Sequence, residues 1–448
     1  MANSDYVNDQ RREYSLYVMQ NRAIPHAADG LKAAARRVLW IGRDGAKHKS
    51  ATLAGATMPL HPHAAPEGAI NTMAAPYGNN VPLLKADGAF GTILAPASYG
   101  ASRYTSVSVS KFTKDVVFRD IEVVPVQENY DGSLMEPKHF LPLVPIVLLN
   151  PSEGIAVGFA TNILPRDLIS IIKSQIQYLE RGKVTTEPLP AFTPTEQYAH
   201  DWTQDDKTGN VRYTFKGTFE KTSTTSLNIT GLPYGTLHEK YLDKLYKLAE
   251  DGCIQDITDN SRDTVNIALK FKKGVLSKMD DEATLKYLSL INNVSENMNV
   301  IDFSGERVWS TTYSEVVEKF TEWRLGWYVQ RFQRLAENLD IDIQRYKDVL
   351  QAITKNVGGL AKKIGSRSEL KEYLEAIGIV HIDYIADLPV YRFTEEERKK
   401  VELKLTAANA LLKEYKALLR SKDKRTDVYL EELKEILANF RKGTYSTA

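Results

Sequence analysis

The sequence predicts a multidomain protein, mainly α-helical with an α+β middle, that ends in a long antiparallel coiled coil. Three observations predict it. The 448 residues suffice for two to four domains at roughly 100–200 residues each. Alternating runs such as Val211-Arg-Tyr-Thr-Phe215, Ser226-Leu-Asn-Ile-Thr230 and Val265-Asn-Ile-Ala-Leu-Lys-Phe271 fall only between residues 160 and 320, the period of half-buried strands. From Tyr313 onward strand patterns vanish, and Leu, Val, Lys and Glu recur at helical spacing.

Each element follows in order. Tyr6 to Arg22 is charged and aromatic at helical spacing and is interrupted by Asn21-Arg-Ala-Ile-Pro25, which predicts an N-terminal arm helix and a turn within 1–28. Asp29 to Trp40 sets Leu31, Val38 and Leu39 on an apolar stripe with Lys32, Arg36 and Arg37 on another face, a helix with a basic side. Residues 50–110 are rich in Ala, Gly, Pro and Thr and predict short helices and turns, with Asp87-Gly-Ala-Phe-Gly-Thr92 as loop. Between the strands, Tyr241 to Leu248 is a helical run, and residues 184–210, with Pro188, Pro190 and Pro194, predict an exposed loop or hairpin. Ser314 to Ile353 and Thr394 to Ala438 each read as one long helix; Gly358-Gly359, Gly365, Gly378 and Pro389 between them predict a small helical knot over about 358–393. No internal repeat or low-complexity tract interrupts the chain.

Composition narrows the function. With 43% hydrophobic and 26% charged residues the chain can build sizeable cores. Net charge is +1, which excludes a uniformly basic nucleic-acid binder, yet residues 1–120 hold 14 Lys/Arg against 9 Asp/Glu, a local basic excess. The single cysteine, Cys253, excludes a disulfide framework, a zinc ribbon and an Fe–S cluster and fits a reducing compartment. The first twenty residues lack an apolar signal region, and the longest apolar stretch, Phe140 to Leu149, is broken by prolines and too short to span a bilayer. A cytoplasmic protein without a membrane partner is expected.

Chemistry-bearing residues are few. Tyr104, one of 23 tyrosines, follows a Gly/Ala-rich loop and sits beside Arg103. A phenol that attacks a phosphodiester must lose a proton held at a pKa of about 10, and the phosphate oxygens must be neutralised; an adjacent guanidinium helps both. The dipeptide alone is more often an ordinary half-buried tyrosine beside a surface arginine. His61-Pro-His63 lacks further ligands at zinc spacing and reads as a phosphate or backbone hydrogen-bonding pair. Asn150-Pro-Ser-Glu-Gly-Ile-Ala-Val-Gly158 is not a nucleotide-binding P-loop, because G-x-x-x-x-G-K-[ST] is absent from the chain; Ile155 in it is either a core residue or a wedge between base pairs. Asp340 with Asp342, and Asp280 with Asp281, are the nearest carboxylate pairs and read as solvated faces, so a magnesium site would draw its ligands from another chain.

In their order, seven segments resemble the cleavage-and-rejoining subunits of type IIA DNA topoisomerases, the family exemplified by the A subunit of DNA gyrase. They are Asn21-Arg-Ala-Ile-Pro25, Asp29-Gly-Leu-Lys32 with Arg36-Arg37-Val-Leu39, His61-Pro-His63, Asp87-Gly-Ala-Phe-Gly91, Arg103-Tyr104, Pro145 to Asn150, and Gly154 to Gly158 with Ala160-Thr-Asn-Ile-Leu-Pro165. A weaker likeness continues through Ile229 to Tyr234, Val294-Ser-Glu-Asn-Met298 and Leu403-Lys-Leu-Thr406. In layout the chain resembles the medium subunits of T-even-type bacteriophage topoisomerases, since it stops soon after the second long helix where gyrase-like subunits carry a DNA-wrapping β domain; relaxation and decatenation are therefore expected rather than supercoiling.

The resemblance implies a winged-helix cleavage domain over 29–160, an α+β tower over 161–318 and, over 319–448, a coiled coil with a dimerisation gate. It makes Tyr104 the nucleophile that forms a 5′-phosphotyrosyl bond, Arg103 its partner at the scissile phosphate, and His63 and Arg36 neighbours of that phosphate. It places Arg22, Lys32, Arg37 and His61 on the DNA-binding surface and makes Ile155 an intercalating wedge. It further implies double-stranded DNA as substrate, a homodimer of this chain, and TOPRIM/ATPase partner subunits, in a heterotetramer or larger complex, that bring Mg²⁺ and ATP. The segments His63-Ala-Ala-Pro-Glu67 and Asp87-Gly-Ala-Phe-Gly91 depart from the family pattern. A DNA-binding scaffold in which Tyr104 only packs is the rival from another class; a topoisomerase VI-like nuclease subunit would need metal carboxylates in the same chain.

Overall fold

The computed structural model describes residue 14 and residues 17–62, 66–156, 158–205, 210–360 and 364–445. The N-terminal arm before Tyr17, Tyr14 apart, and His63 lie outside the described residues. Two compact units divide the chain, Met1–Arg324 with Leu430–Ala448, and Leu325–Tyr429.

The first unit opens with a helical turn, Met19–Ala23, and α1, Ala33–Ile41. The helix expected from Asp29 starts four residues later. Gly30 has φ +68 and its backbone lies against that of Val147, so the chain turns there, and Ala33-Ala-Ala35, strong helix formers, then begin α1. The expected basic face is not solvated either. Val38 and Leu39 are fully buried, and Arg36 and Arg37 are buried beside them because each has a carboxylate: Arg36 Nε to Asp29 at 2.7 Å and Arg37 Nε to Glu136 at 2.5 Å.

A three-stranded antiparallel sheet follows, ordered β1 (His48–Lys49), β3 (Ser106–Val109), β2 (Leu84–Asp87). Against it lie α2, Ser50–Thr57, and α3, Pro66–Ala74, the latter opened by a proline that needs no N–H there. A hairpin of β4 (Val126–Glu128) and β5 (Met135–Pro137) carries Glu136. The apolar run Phe140 to Leu149 is buried throughout and forms the centre of this part. A second hairpin, β6 (Ser152–Ile155) and β7 (Ala160–Ile163), leaves the core with Ile155 opposite Ala160 at its end. Helix α4, Leu168–Arg181, is capped by the Asp167 side chain and stopped at Gly182, φ 75.

Two four-stranded antiparallel sheets build the α+β part. The first is ordered β15 (Ile291–Glu296), β10 (Val211–Lys216), β9 (Gln197–Gln204), β8 (Ala191–Phe192). The second is β11 (Thr218–Lys221), β12 (Ser226–Gly231), β14 (Ile267–Phe271), β13 (Ile254–Asp259). Within the stretch 184–210, expected as an exposed loop or hairpin, β8 pairs antiparallel with β9, whose outer residues, Tyr198 and Trp202 among them, stay exposed. Leu227, Ile229, Leu269 and Phe271 pack with Tyr241 and Leu245 of α5 (His238–Ala249) and with Leu285 of α6 (Asp281–Tyr287). The pair β16 (Asn299–Ile301) and β17 (Val308–Ser310) meets the arm, where Ala27 N donates to Ile301 O at 2.7 Å.

In the second unit, α7 (Tyr313–Thr354, the part after Arg324) packs on α11 (Glu395–Arg420) through Ala336, Ile343, Ala408 and Leu412. Phe332 meets Tyr415 while Val349 and Ile353 meet Val401, so the two helices run antiparallel. Between them α8 (Val357–Leu360), α9 (Arg367–Ala376) and α10 (Ile382–Ala386) close a separate core around Leu374, Ile379 and Ile385. Fully buried Asp348 orders this knob by accepting from His381 Nδ1 at 2.9 Å and His381 N at 2.8 Å. The expected single helix from Thr394 to Ala438 is two. Ser421 is extended, its hydroxyl caps Lys424 N at 3.3 Å to start α12 (Lys422–Arg441), and Arg425 Nη1 takes the freed Leu418 and Leu419 carbonyls. No helix among the described residues is long and apolar enough to cross a membrane.

Candidate DNA cleavage site

Tyr104 sits on a tight turn directly before β3. Tyr104 N and Thr105 N both donate to Ala101 O, at 2.8 and 3.3 Å. The first amides of α2, which have no partner within the helix, hold that turn: Ser50 N donates to Thr105 O at 3.0 Å and Ala51 N to Ser102 O at 3.1 Å. Side chains add Thr105 Oγ1 to Ser50 Oγ at 2.8 Å, Ser102 Oγ to Glu67 Oε1 at 2.8 Å and Lys49 Nζ to Tyr104 O at 3.2 Å. The backbone is fixed from three sides while the Tyr104 ring is 70% exposed. Arg103 lies with its guanidinium carbon 4.7 Å from the ring centroid, within cation–π range. Among the described residues neither the Tyr104 hydroxyl nor the Arg103 guanidinium has a hydrogen-bond partner. A nucleophile and a cation thus face outward together. Sequence reading missed the residues that hold the turn, Lys49, Ser50, Glu67 and Ser102; a serine opening a helix is the one signal that pointed to any of them.

Nearby, Arg22, Lys32, Arg37 and His61 line one cleft of about 790 Å³. The four residues assigned to a DNA surface are therefore brought together. Arg22 is exposed and stacks 5.7 Å from the Tyr17 ring. Burial lowers the Lys32 ammonium below its ordinary pKa, opposed by the Glu153 carboxylate, and its Nζ donates to Glu153 O at 2.5 Å. The His61 ring shares a 2.7 Å hydrogen bond with the Tyr17 hydroxyl and stands 5.7 Å from the Tyr130 ring. Arg37 reaches the cleft wall with its charge already matched by Glu136.

Arg36 is not part of that wall. Its Nε and Nη2 hold the Asp29 carboxylate at 2.7 and 3.0 Å, and Asp29 also accepts from Leu31 N and Phe140 N. The Arg36 guanidinium, with its hydrogen bonds, keeps that carboxyl below its ordinary range although burial alone would raise it. Arg36 in this structure is a framework cation. Tyr104 and Ile155 also lie outside the cleft lining, but both are tied to it. Ser102 bonds Glu67 of α3, whose next residues Gly68 and Ala69 line the cleft, and Ser152 and Glu153 of the Ile155 strand line it too. Ile155 itself is 86% exposed, which removes the core reading. Among the described residues no group of three His, Cys, Asp or Glu could hold a metal ion.

An exposed tyrosine beside an arginine that has no hydrogen-bond partner among the described residues, tied through Ser102 and Glu67 to a helix that lines a cleft with Arg22, Lys32, Arg37 and His61, can hold an anion beside a nucleophilic oxygen. Over residues 22–434 the chain matches the family model of the DNA gyrase/topoisomerase IV A subunit, and it belongs to that family of type II topoisomerase subunits. The DNA topoisomerase medium subunit of Enterobacteria phage T4 is 29% identical over 449 residues, covering 96% of this chain and 97% of the phage protein. The DNA gyrase A subunit of Brachyspira hyodysenteriae is 28% identical over 480 residues, and that of Synechocystis sp. 26% over 465, covering 96% and 95% of this chain. The chain spans about half the length of these gyrase proteins, 55% and 53%.

Proposed function

We propose that this chain is the DNA cleavage-and-rejoining subunit of an ATP-dependent type II topoisomerase. The observation that carries the reading is the outward-facing Tyr104–Arg103 pair on a turn pinned to α2. The Tyr104 oxygen loses its proton and attacks the phosphorus of a DNA phosphodiester; a P–O bond to Tyr104 forms, the bond to O3′ breaks, and the leaving 3′ oxygen takes up a proton. The product is a 5′-phosphotyrosyl link that keeps the phosphodiester energy, so the free 3′ hydroxyl reseals the strand by the reverse step. Arg103 neutralises the non-bridging oxygens as charge develops on them. The cleft cations Arg22 and Lys32, with His61, hold the duplex backbone, and Ile155 enters a base step and bends the duplex. His63 belongs beside the same phosphate by family likeness.

The remaining parts of the proposal concern assembly. Residues 29–160 act as a winged-helix cleavage domain behind the arm of 1–28, 161–318 as the tower, and 319–448 as a coiled coil whose knob, about 358–393, joins two copies. Val380, Tyr384, Val390 and Tyr391 are exposed on that knob, which supports a homodimer contact there. Magnesium and ATP are brought by TOPRIM/ATPase partner chains, and passage of a second duplex through the break gives relaxation and decatenation in the cytoplasm.

The test is trapping. The chain is mixed with its TOPRIM partner, Mg²⁺ and end-labelled duplex, quenched with detergent and digested, and the peptide carrying nucleotide is identified by mass spectrometry. A nucleotide on Tyr104, lost in Tyr104→Phe while duplex binding persists, is the expected result. No adduct, with a partner active beside another cleavage subunit, leaves the DNA-binding scaffold.

A further inference from the structure

The segment Val294 to Met298, which the likeness to the family leaves without a role, ends β15 and crosses the β6–β7 hairpin that presents Ile155. Asn162 and Asn297 exchange backbone hydrogen bonds at 2.8 and 3.0 Å. Two side-chain amides then converge on one carbonyl: Asn297 Nδ2 and Asn299 Nδ2 donate to Ala160 O at 2.9 and 2.7 Å, and Asn299 Nδ2 also meets Asn297 Oδ1 at 2.9 Å. Ala160 is the residue directly opposite Ile155 in the hairpin register. Asn299 is buried and its Oδ1 accepts from Ser310 Oγ, which fixes the amide from behind. On the other strand Lys32 Nζ holds Glu153 O at 2.5 Å. A Cβ on Gly154 would land on the carbonyl of Ala23, 2.9 Å from its carbon, so the arm abuts that strand.

The hairpin is therefore gripped on both strands just behind its tip, while Ile155 projects 86% exposed. An apolar wedge can unstack a base step only if its support does not give way as the duplex resists bending. We propose that Asn297 and Asn299 are positioning residues for the Ile155 wedge, clamping the Ala160 carbonyl so that the hairpin stays rigid under that load. The inference rests on the reading of Ile155 as the wedge.

Its test uses the full chain reconstituted with its TOPRIM partner, as wild type and as Ile155→Ala, Asn297→Ala and Asn299→Ala. Bending is read by energy transfer between dyes at the ends of a duplex, and cleavage is compared on an intact duplex and on one already kinked by a short bulge at the wedge step. Both asparagine variants are expected to bend the intact duplex less and to cleave it about tenfold more slowly, the scale of one lost hydrogen bond, and to recover on the kinked duplex. Half-buried Asn297 keeps the test usable if Asn299→Ala folds poorly. Normal bending by Asn297→Ala, with bending lost in Ile155→Ala, overturns the clamp and leaves the wedge standing; equal loss on both duplexes overturns it as general damage. Normal bending by Ile155→Ala overturns the wedge reading itself.

Discussion

Truncating Ile155 to alanine separates folding from DNA bending. The side chain is 86% exposed, so the folded protein loses almost no packing, and its stability should move by less than about 0.5 kcal/mol, as for surface substitutions generally. If Ile155 enters a base step as proposed, the bound duplex takes the same side chain out of water between its bases. Isoleucine to alanine removes three carbons, each worth about 0.8 kcal/mol when taken from water, so about 2 kcal/mol of wedge energy is lost, a weakening of roughly 30-fold in the bent complex. The assay is a urea melt of the free chain beside end-to-end energy transfer on a bound duplex. An unchanged melt with lost bending is expected. A lowered melting midpoint, or a duplex bent as by wild type, would refute the argument.

Other perturbations address the charges. Arg22→Ala should weaken binding to all duplexes and flatten the salt dependence by about one unit of slope, because one phosphate contact is lost; an equal flattening from Arg37→Ala, whose charge Glu136 already holds, would move the binding surface. Asp29→Ala leaves the buried Arg36 guanidinium unpaired and should cost about 3–5 kcal/mol in a urea melt; a loss below about 1 kcal/mol would mean that Arg36 turns toward solvent. Burial, with Arg36 beside it, lowers the His26 imidazole from 6.5 to about 3, so the fold holds it neutral while the unfolded chain titrates near 6.5. Stability should then fall as pH drops from about 6.5 toward 3, by up to about 1.4 kcal/mol per unit from this group. His26→Asn, which keeps an acceptor for Ala28 N, should flatten that dependence, and an unchanged pH slope would assign acid sensitivity elsewhere.

Local pattern carried the long elements, whereas Arg103 and Tyr104 stood out only through the likeness of seven ordered segments to a family. Forty-odd residues of helical spacing could only become α7, and the alternation of 211–215 and 226–230 became β10 and β12. Long-range partners were not legible. Arg36 and Arg37 look alike on a helical wheel, but whether each meets solvent or a carboxylate depends on Asp29, seven residues back, and on Glu136, 99 residues away. Only the fold brings Glu136 there. The break at Ser421 was legible in principle, as a serine capping residue ahead of Asp423, yet it was outweighed by uninterrupted helix formers on both sides. The cleft shows the same division: its cations were found from motifs, whereas the Tyr17–His61 bond joins positions 44 apart.

The grip on the β6–β7 hairpin has a consequence for synthesis. Its bonds join Ala160 and Asn162 to Asn297 and Asn299 across more than 130 positions, so this hairpin stays unlocked until that distant strand has left the ribosome. At about 5–20 residues per second, the delay is roughly 10–40 s after the tyrosine turn and its sheet, complete at Val109, can form from neighbouring sequence. A nascent chain thus has the turn that carries Tyr104 well before it has a firm support for Ile155. Contacts of such high sequence separation fold late, so the support for the hairpin tip is completed only near the end of synthesis of the Met1–Arg324 part of the first unit.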